Sequence, residues 1–142
     1  MTIIGYTCGV FDLFHIGHVE ILKNAKSICD KLIVGLTTDE QVKYKNTTCV
    51  IPYSERKLVL ESCKYVDMVI SQDDHDKIKA FHKIKYDILI VGDDWYNDEK
   101  WNKYEETLKQ FNVKIIYFPY NKQTNTTSIK KKVTIMNNES YL

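Results

Sequence analysis

The stretch Gly9-Val10-Phe11-Asp12-Leu13-Phe14-His15-Ile16-Gly17-His18 decides how this chain folds and what it can bind. It follows an apolar run typical of a buried strand and leads into a segment whose apolar residues repeat at helical spacing. Two histidines three residues apart at a helix start lie on one face, beside backbone N–H groups that the helix leaves unpaired. A strand, a loop and a helix in this order are typical of phosphate sites. We therefore predict that His15 and His18 bind an anion and that Gly17 keeps its approach open.

This predicted anion site differs from the two commonest phosphate-binding motifs. The chain contains no P-loop and no Gly-x-Gly-x-x-Gly dinucleotide fingerprint. The alternative of a zinc site would need two further ligands, and the remaining histidines, His75 and His82, have no matching spacing. A phosphate bound by imidazoles is therefore the favoured interpretation.

Composition and charge limit the kind of partner that the chain can have. The 142 residues carry 20 Lys and Arg against 19 Asp and Glu, a formal net charge of +1. This balance provides no extended basic surface for nucleic acid or for a membrane, so we expect a small ligand that is recognised locally. The first ten residues lack the basic region typical of a signal peptide, and no apolar run approaches the roughly 20 residues that a membrane span needs. We predict a cytoplasmic protein whose four cysteines are reduced.

Apolar strands alternate with helical segments along the whole chain. The predicted strands comprise residues 2–8, 31–37, 66–70, 86–91 and 113–118, with helices between them. This alternation predicts a single α/β domain over residues 1–135, a Rossmann-like, doubly wound sheet of about five parallel strands with flanking helices. A last short helix over 129–135 precedes a polar tail, 136–142, that we expect to fray.

Ligands of such sheets bind beyond the carboxyl ends of the strands, where the strand order reverses. Two predicted loops follow strands and carry polar residues: the loop that contains His15 and His18, and the string Gly92-Asp93-Asp94-Trp95. The polar stretch 39–52 is long enough to be a functional loop. The helix that follows this stretch has an apolar-to-small face formed by Leu58, Val59, Ser62 and Cys63.

Four motifs, in order along the chain, resemble the cytidylyltransferases of the HxGH nucleotidyltransferase superfamily. They are Phe-Asp-x-x-His-x-Gly-His after the first strand, Glu55-Arg56-Lys57 at a helix start, Tyr65-Val66-Asp67 before a strand, and Val91-Gly92-Asp93-Asp94-Trp95. The resemblance extends from about residue 3 to residue 129 and is closest to the glycerol-3-phosphate type. It implies an enzyme that transfers CMP from CTP to a phosphorylated alcohol, glycerol 3-phosphate first, and releases pyrophosphate.

The resemblance assigns the catalytic step to His15, His18 and Lys45. A phosphate monoester, whose second pKa is about 6, is already a dianionic nucleophile at neutral pH, so the reaction needs positive charge and donors more than a base. By the resemblance, both imidazoles contact the CTP phosphates and stabilise the transition state, and Lys45 closes over the triphosphate. The resemblance also implies that Mg²⁺ accompanies CTP.

Further positions are assigned to the nucleotide by the same resemblance. Asp12 has two interpretations that stay open: it contacts the ligand, or it holds the loop by accepting backbone N–H groups. Asp94 accepts from the exocyclic amine of cytosine, or Asp93 or Asp94 is a ligand of Mg²⁺. The full set of predicted nucleotide-binding positions is Cys8, Gly9, Val10, Phe11, Asp12, Gly17, Gly92, Asp93, Asp94, Thr126 and Thr127.

Arg56 and Asp67 are assigned to the acceptor by the resemblance. A guanidinium near the sheet edge can bind phosphate through two parallel hydrogen bonds, and the alternative for Arg56 is an ion pair on a helix surface. Asp67 is expected to face the hydroxyl groups of the acceptor, with a plain turn residue as its alternative. The homodimer that is usual for compact members of the family is carried over as well.

Two regions depart from the pattern of the family. Thr47 stands where family loops often carry a second lysine, and the family's arginine is missing from the segment before Thr126. Lys43 and Lys122 are candidates to supply the missing charge. Three alternatives therefore stay open beside glycerol 3-phosphate: choline or ethanolamine phosphate as the acceptor, an ATP-dependent adenylyltransferase of the same fold, and a nucleotide-binding protein with little turnover.

Overall fold

The computed structural model of the chain describes residues 1–43, 47–119 and 124–138. At its centre lies a five-stranded sheet with neighbouring strands in the order β3-β2-β1-β4-β5. Every pairing in this sheet is parallel. The predicted α/β sheet is thus confirmed. Its strands are β1 (Ile4–Gly9), β2 (Lys31–Thr37), β3 (Met68–Gln72), β4 (Ile88–Gly92) and β5 (Lys114–Phe118).

Helices connect the strands and cover both faces of the sheet. They are α1 (Ile16–Ser27), α2 (Asp39–Lys43), α3 (Tyr53–Glu61), α4 (Lys77–Ile84), α5 (Glu99–Lys109) and α6 (Thr126–Asn138), and a short 3₁₀ turn, Asp93–Trp95, follows β4. Among these described helices, none is both long and apolar enough to cross a bilayer.

The bounds of two segments differ from the prediction. The short helix α2 occupies the first part of the predicted loop 39–52. Helix α6 begins three residues earlier than predicted and includes residues 136–138 of the predicted frayed tail. The early start has a local cause, because the side-chain oxygen of Asn125 accepts the N–H of Ser128 at 2.8 Å, as an N-cap residue does.

The chain winds first to one side of β1 and then to the other. Helices α1 and α3 bury Leu22 and Leu60 against one face of the sheet. Helices α4 and α5 bury Phe81 and Trp101 against the opposite face. The winding therefore reverses between β1 and β4, and ligands of doubly wound sheets bind where the carboxyl ends of two such strands diverge.

The exposed face of α3 corrects one prediction. Leu58 and Val59 are 65% and 44% exposed, whereas Arg56 and Leu60 are buried. Residues four apart share a helix face, so the burial of Arg56 turns Leu60 inward and Leu58 outward. The orientation of α3 is set by the arginine. A buried guanidinium must reach hydrogen-bond acceptors, and these lie on the side of the helix that faces the sheet.

Three aspartates link the amino ends of neighbouring strands. Each of them directly precedes one strand and accepts an N–H at the start of the neighbouring strand or from the residue just before it, at 2.7 to 2.8 Å. A carboxylate in this position satisfies a backbone donor that the parallel ladder does not reach. The pairs are Asp30 with Ile3, Asp67 with Leu32 and Asp87 with Ile4.

Asp67 therefore lies at the amino edge of the sheet, opposite the edge where β1 and β4 end. Its Oδ2 also accepts from the ammonium of Lys26 at 2.6 Å. Burial alone would raise the pKa of Asp67, but the bonds from Lys26 and from the Leu32 N–H lower it. The predicted contact of Asp67 with the acceptor does not fit this position, because a strand of five residues separates the two edges by roughly 15 Å.

Asp67→Ala is expected to lower the free energy of unfolding by about 1–2 kcal/mol, because the Leu32 N–H loses its partner. The affinity for a nucleotide at the carboxyl edge is expected to stay unchanged. Urea denaturation and nucleotide titration check these two results, with Glu106→Ala on the exposed side of α5 as the control. A large loss of ligand affinity at unchanged stability would restore the binding role of Asp67.

Candidate functional site

A cavity of about 520 Å³ opens at the carboxyl ends of the strands. The β1–α1 loop, the first turns of α4 and α6, and the turn after β4 form its walls. It thus lies at the reversal of strand order, as predicted for a ligand of this fold. The predicted site residues that line it are Cys8, Gly9, Val10, Phe11, Asp12, His15, Gly17, His18, Gly92, Thr126 and Thr127.

The two histidines cap helix α1 with their own rings. His15 is the N-cap residue, and its Nδ1 accepts the N–H of Gly17 at 3.0 Å. The Nδ1 of His18 accepts the N–H of His15 at 3.2 Å, and the ring centroids lie 3.9 Å apart. A ring nitrogen that accepts a hydrogen bond carries no proton, so each neutral ring holds its hydrogen on Nε2. Each histidine therefore keeps one Nε2–H donor for a ligand.

This capping changes the predicted anion site in one respect. The sequence predicts unpaired backbone N–H groups at this helix start, but the N–H of Gly17 is bonded to His15. The imidazole Nε2–H groups, rather than this backbone group, are the donors that remain. Gly17 is needed for packing, because a Cβ atom there would lie 2.8 Å from Cε1 of His15 and 3.2 Å from the carbonyl oxygen of Thr124.

The surroundings keep both imidazoles neutral. Burial lowers the pKa of His18 to about 4, with a further contribution from His15 and an opposing one from Asp12. Burial also lowers the pKa of His15. Phe11 and Phe14 pack against the His18 ring, with centroid distances of 5.2 and 5.4 Å. At neutral pH the two imidazoles therefore offer hydrogen-bond donors without a positive charge.

NMR of the ring nitrogens is expected to show His18 as the Nε2–H tautomer, with a pKa of about 4 in place of the ordinary 6.5. Between these two values the unfolded chain binds a proton that the folded chain does not, so stability falls as the pH falls through this window. His15→Gln removes the second cause of the shift and is expected to raise the pKa of His18. A pKa of 6.5 or above in the unaltered protein would contradict this account.

The carboxylate of Asp12 holds the segment that follows α2. Asp12 is 3% exposed, and its oxygens accept the N–H groups of Val50 at 2.7 Å and of Ile51 at 2.9 Å. The ammonium of Lys130 lies 3.4 Å from the same carboxylate. Burial would raise the pKa of Asp12, but the two N–H donors and Lys130 lower it. Of the two interpretations of Asp12, these contacts favour the one in which its carboxylate holds the loop by accepting backbone N–H groups.

Arg56, 1% exposed, ties the same segment to the sheet. Its Nη1 donates to the carbonyl oxygens of Val10 at 2.8 Å and Thr37 at 2.9 Å. Its Nε donates to the carbonyl oxygen of Ile51 at 2.9 Å, and its Nη2 lies 2.6 Å from the carboxylate of Asp39. The predicted contact of Arg56 with the acceptor does not fit this geometry, because the guanidinium already points all its nitrogens at the protein.

Among the described residues, Asp93 and Asp94 also do not line the cavity. Lys45 lies outside the described residues. Asp93 and Asp94 are exposed on the 3₁₀ turn, between Gly92 and Trp95, which both line the cavity. No cluster of three His, Cys, Asp or Glu side chains that could hold a metal ion occurs among the described residues. Mg²⁺ bound by one carboxylate and by substrate phosphates requires no such cluster, so these roles stay predictions.

Lys130 is a cavity residue that sequence reasoning missed. Its ammonium lies 3.4 Å from the Asp12 carboxylate and donates to the carbonyl oxygen of Thr48 at 3.3 Å. It follows Thr126 and Thr127 by four and three residues, so it shares their face of α6. This helical spacing was the signal that would have identified it.

Lys77, the first residue of α4, is a second lysine that sequence reasoning missed. It is 7% exposed, lines the cavity, and has its Nζ 5.9 Å from the centroid of the Trp101 ring. None of the ion pairs in the described part of the chain includes it. A buried ammonium without a carboxylate is available to an anionic ligand.

The cavity thus has two halves of different chemistry. The histidine half carries the two neutral donors and one ammonium next to a carboxylate, whereas the lysine half carries a buried lysine whose Nζ lies 5.9 Å from the centroid of the Trp101 ring. The histidine half consists of His15, His18, Thr126 and Lys130. The lysine half consists of Lys77, Trp101 and Trp95, joined by contacts of 5.9 and 5.8 Å, and of Gln72, which precedes Lys77 by five residues.

Comparison with known proteins identifies the family. Residues 6–140 match the family model described as cytidylyltransferase-like. The chain belongs to this family. It is 39% identical over 126 residues to a glycerol-3-phosphate cytidylyltransferase of Bacillus spizizenii, covering 88% of this chain and 92% of that protein. It is 34% identical over 108 residues to an FAD synthase of Archaeoglobus fulgidus, covering 76% of this chain and 78% of that protein.

A solved structure shares the fold of this cytidylyltransferase-like chain. The lipopolysaccharide core biosynthesis protein from Thermoplasma volcanium superposes with a TM-score of 0.71 at 22% identity, over 87% of this chain and all of that one. Together with the family match, this confirms the predicted family, the Rossmann-like fold and a nucleotidyltransferase enzyme.

Proposed function

We propose that this cytidylyltransferase-like enzyme transfers CMP from CTP to the phosphate of glycerol 3-phosphate, giving a CDP-alcohol and pyrophosphate. The observation that supports this proposal is the division of one cavity between two kinds of phosphate-binding group. Neutral donors suit the phosphorus at which bonds change, and a buried ammonium suits a second substrate that brings its own dianionic phosphate.

The proposed reaction needs no proton transfer at its central step. An oxygen of the acceptor phosphate attacks the α-phosphorus of CTP, the bond from that phosphorus to the bridging oxygen breaks, and pyrophosphate leaves with the electron pair. Negative charge grows on the oxygens of the α-phosphate and on the leaving group. The Nε2–H groups of His15 and His18 donate to these oxygens and keep their protons throughout.

The charged groups of the cavity divide between the two substrates. We assign Lys130 and the predicted Lys45 to the triphosphate, and Lys77 to the phosphate of the acceptor. Lys130 pairs with Asp12 at 3.4 Å, a distance that an ammonium on a flexible stem can exchange for a phosphate contact. Lys77 forms no ion pair with the described residues, so it can bind a phosphate without breaking an existing contact to a carboxylate.

Base recognition and Mg²⁺ are proposed at the turn after β4. The carboxylate of Asp94 accepts from the exocyclic amine of cytosine, a group that uracil lacks. Alternatively, Asp93 or Asp94 supplies the oxygen ligand that Mg²⁺ prefers, and the ion then offsets the charge of the triphosphate. Both carboxylates are exposed and directly follow Gly92 of the cavity wall.

A second candidate function is the transfer of AMP from ATP to FMN. The similarity to FAD synthases favours it, and so do the rings of Trp95 and Trp101, which lie 5.8 Å apart and 30° from parallel, because aromatic rings can stack on a flavin. The match to glycerol-3-phosphate cytidylyltransferases covers more of the chain, 88% against 76%. The cytidylyl reaction is therefore the first choice.

The predicted homodimer and cytoplasmic location stay predictions. Three apolar side chains are exposed on α3 and on the edge strand β3: Leu58, Val59 and Met68. A second copy of the chain that pairs through these two elements would cover them.

Pyrophosphate release with CTP, ATP, UTP and GTP, each combined with the candidate acceptors, tests the proposed function. We expect turnover with CTP and glycerol 3-phosphate at a kcat/KM at least tenfold above that with ATP and FMN, a difference of about 1.4 kcal/mol. Choline phosphate and ethanolamine phosphate complete the set of acceptors. Turnover with ATP and FMN alone would favour the second candidate, and nucleotide binding without turnover on any acceptor would refute the enzyme function.

Lys77→Met is expected to raise the KM for the acceptor at least tenfold and to leave the KM for CTP within twofold, because charge-assisted contacts to phosphate contribute about 1.5–3 kcal/mol. Lys79→Met is the matched control, since Lys79 lies on the same helix and pairs with Asp74 at the surface. An equal change in both KM values would contradict the assignment of the lysine half to the acceptor.

A further inference from the structure

Gln72 carries a polar atom whose burial the fold does not explain. It is the last residue of β3, it is 7% exposed, and it lines the lysine half of the cavity. Its Oε1 is buried and has no hydrogen-bond partner in the described part of the chain. Buried side-chain oxygens almost always have a partner, so an orphan at the wall of a cavity points to a group that the ligand supplies.

The backbone of Gln72 is firmly held, so the orphan atom does not come from a loose segment. Residue 72 pairs with Thr37 in the register of β2 and β3, and its carbonyl oxygen accepts the N–H of Thr38 at 3.3 Å. Its side chain is thus presented from the end of a strand, five residues before Lys77 at the start of α4. Residues on ends of regular elements are held more precisely than residues on loops.

We infer that Gln72 selects an acceptor that carries a free hydroxyl group, an inference that rests on the proposed function. While Lys77 binds the phosphate of the acceptor, the amide of Gln72 binds its hydroxyl. A hydroxyl group both donates and accepts, so it satisfies the amide whichever of its two polar atoms faces the ligand. The acceptor class is therefore a phosphorylated polyol.

The same geometry disfavours the amino-alcohol phosphates. A quaternary ammonium has no hydrogen to donate to the amide, and any ammonium places a positive charge in the half of the cavity that already contains Lys77. The neutrality of Gln72 matters as well, because a glutamate there would add a negative charge to the cavity wall that repels a phosphate.

A comparison of two acceptors with two forms of the enzyme tests this inference. Glycerol 3-phosphate and propyl phosphate share the phosphate and the carbon chain, but only the first has free hydroxyl groups. The unaltered enzyme is expected to prefer glycerol 3-phosphate about tenfold in kcat/KM, the size of one neutral hydrogen bond left unmade. Gln72→Met, which preserves the volume of the side chain, is expected to lower this ratio to about one by reducing turnover of glycerol 3-phosphate.

Gln72→Glu provides a second variant that retains the shape of the side chain. It is expected to raise the KM for glycerol 3-phosphate and to shift the ratio of ethanolamine phosphate to glycerol 3-phosphate at least tenfold toward the amine, because the new carboxylate attracts an ammonium. Thermal denaturation shows whether each variant is folded. Gln110→Met, at an exposed position after α5, is the control for the loss of a glutamine elsewhere.

The outcomes separate this inference from the proposed function. If the unaltered enzyme turns over no phosphorylated alcohol with CTP, the proposed function fails first. If it turns over glycerol 3-phosphate but folded Gln72→Met retains the full preference over propyl phosphate, the inference about Gln72 is overturned and the proposed function stands. Loss of the preference in Gln72→Met, with Gln110→Met unchanged, supports it.

Discussion

The buried carboxylate of Asp12 is the contact on which the arrangement of the site depends. It accepts the N–H of Leu13 within its own loop and the N–H groups of Val50 and Ile51 across the cavity wall. Phe11 and Leu13, the residues on either side, both have a φ of 51°, in the left-handed region that costs free energy for a side chain of their size. The carboxylate contacts offset this cost. They hold the loop in this conformation, and the loop in turn positions the two imidazoles at the start of α1.

A second buried charge completes this constraint from the other side of the same segment. The N–H of Ile51 is bonded to Asp12, and its carbonyl oxygen is bonded to Arg56. Burial of a charge is costly unless the charge is paired and fully hydrogen-bonded, and Arg56 meets this condition through Asp39 and three carbonyl oxygens. The cavity wall is therefore fixed by charges that face the protein, whereas the groups that face the ligand are mostly neutral.

The difference between local and distant information explains which features could be predicted from the sequence. The order of strands and helices and the histidine loop were predictable, because periodicity and a contiguous motif carry them. The role of Arg56 was not predictable, because its acceptors come from three separate segments. A residue directly before a parallel strand lies at the amino edge of the sheet, so the position of Asp67 was predictable. Its contact with the Leu32 N–H was not, because this contact depends on the register of β2 and β3. Lys77 and Gln72 belong to no local sequence motif. Only the folded structure shows that both line the cavity, so a binding role for them could not be predicted from the sequence.

The neutrality of the imidazoles explains why lysines matter so much in this cavity. Because each Nδ1 is occupied by a backbone N–H, protonation of either ring would break the cap of α1 and disturb the donor that the ring presents. The histidines therefore cannot provide positive charge without loss of their own geometry. Positive charge in the cavity comes instead from flexible side chains around the rings, Lys130 of α6 and Lys77 of α4. The positions of the donors and the supply of charge are therefore set by different elements, so the lysine half of the cavity can change without any change in the histidine cap.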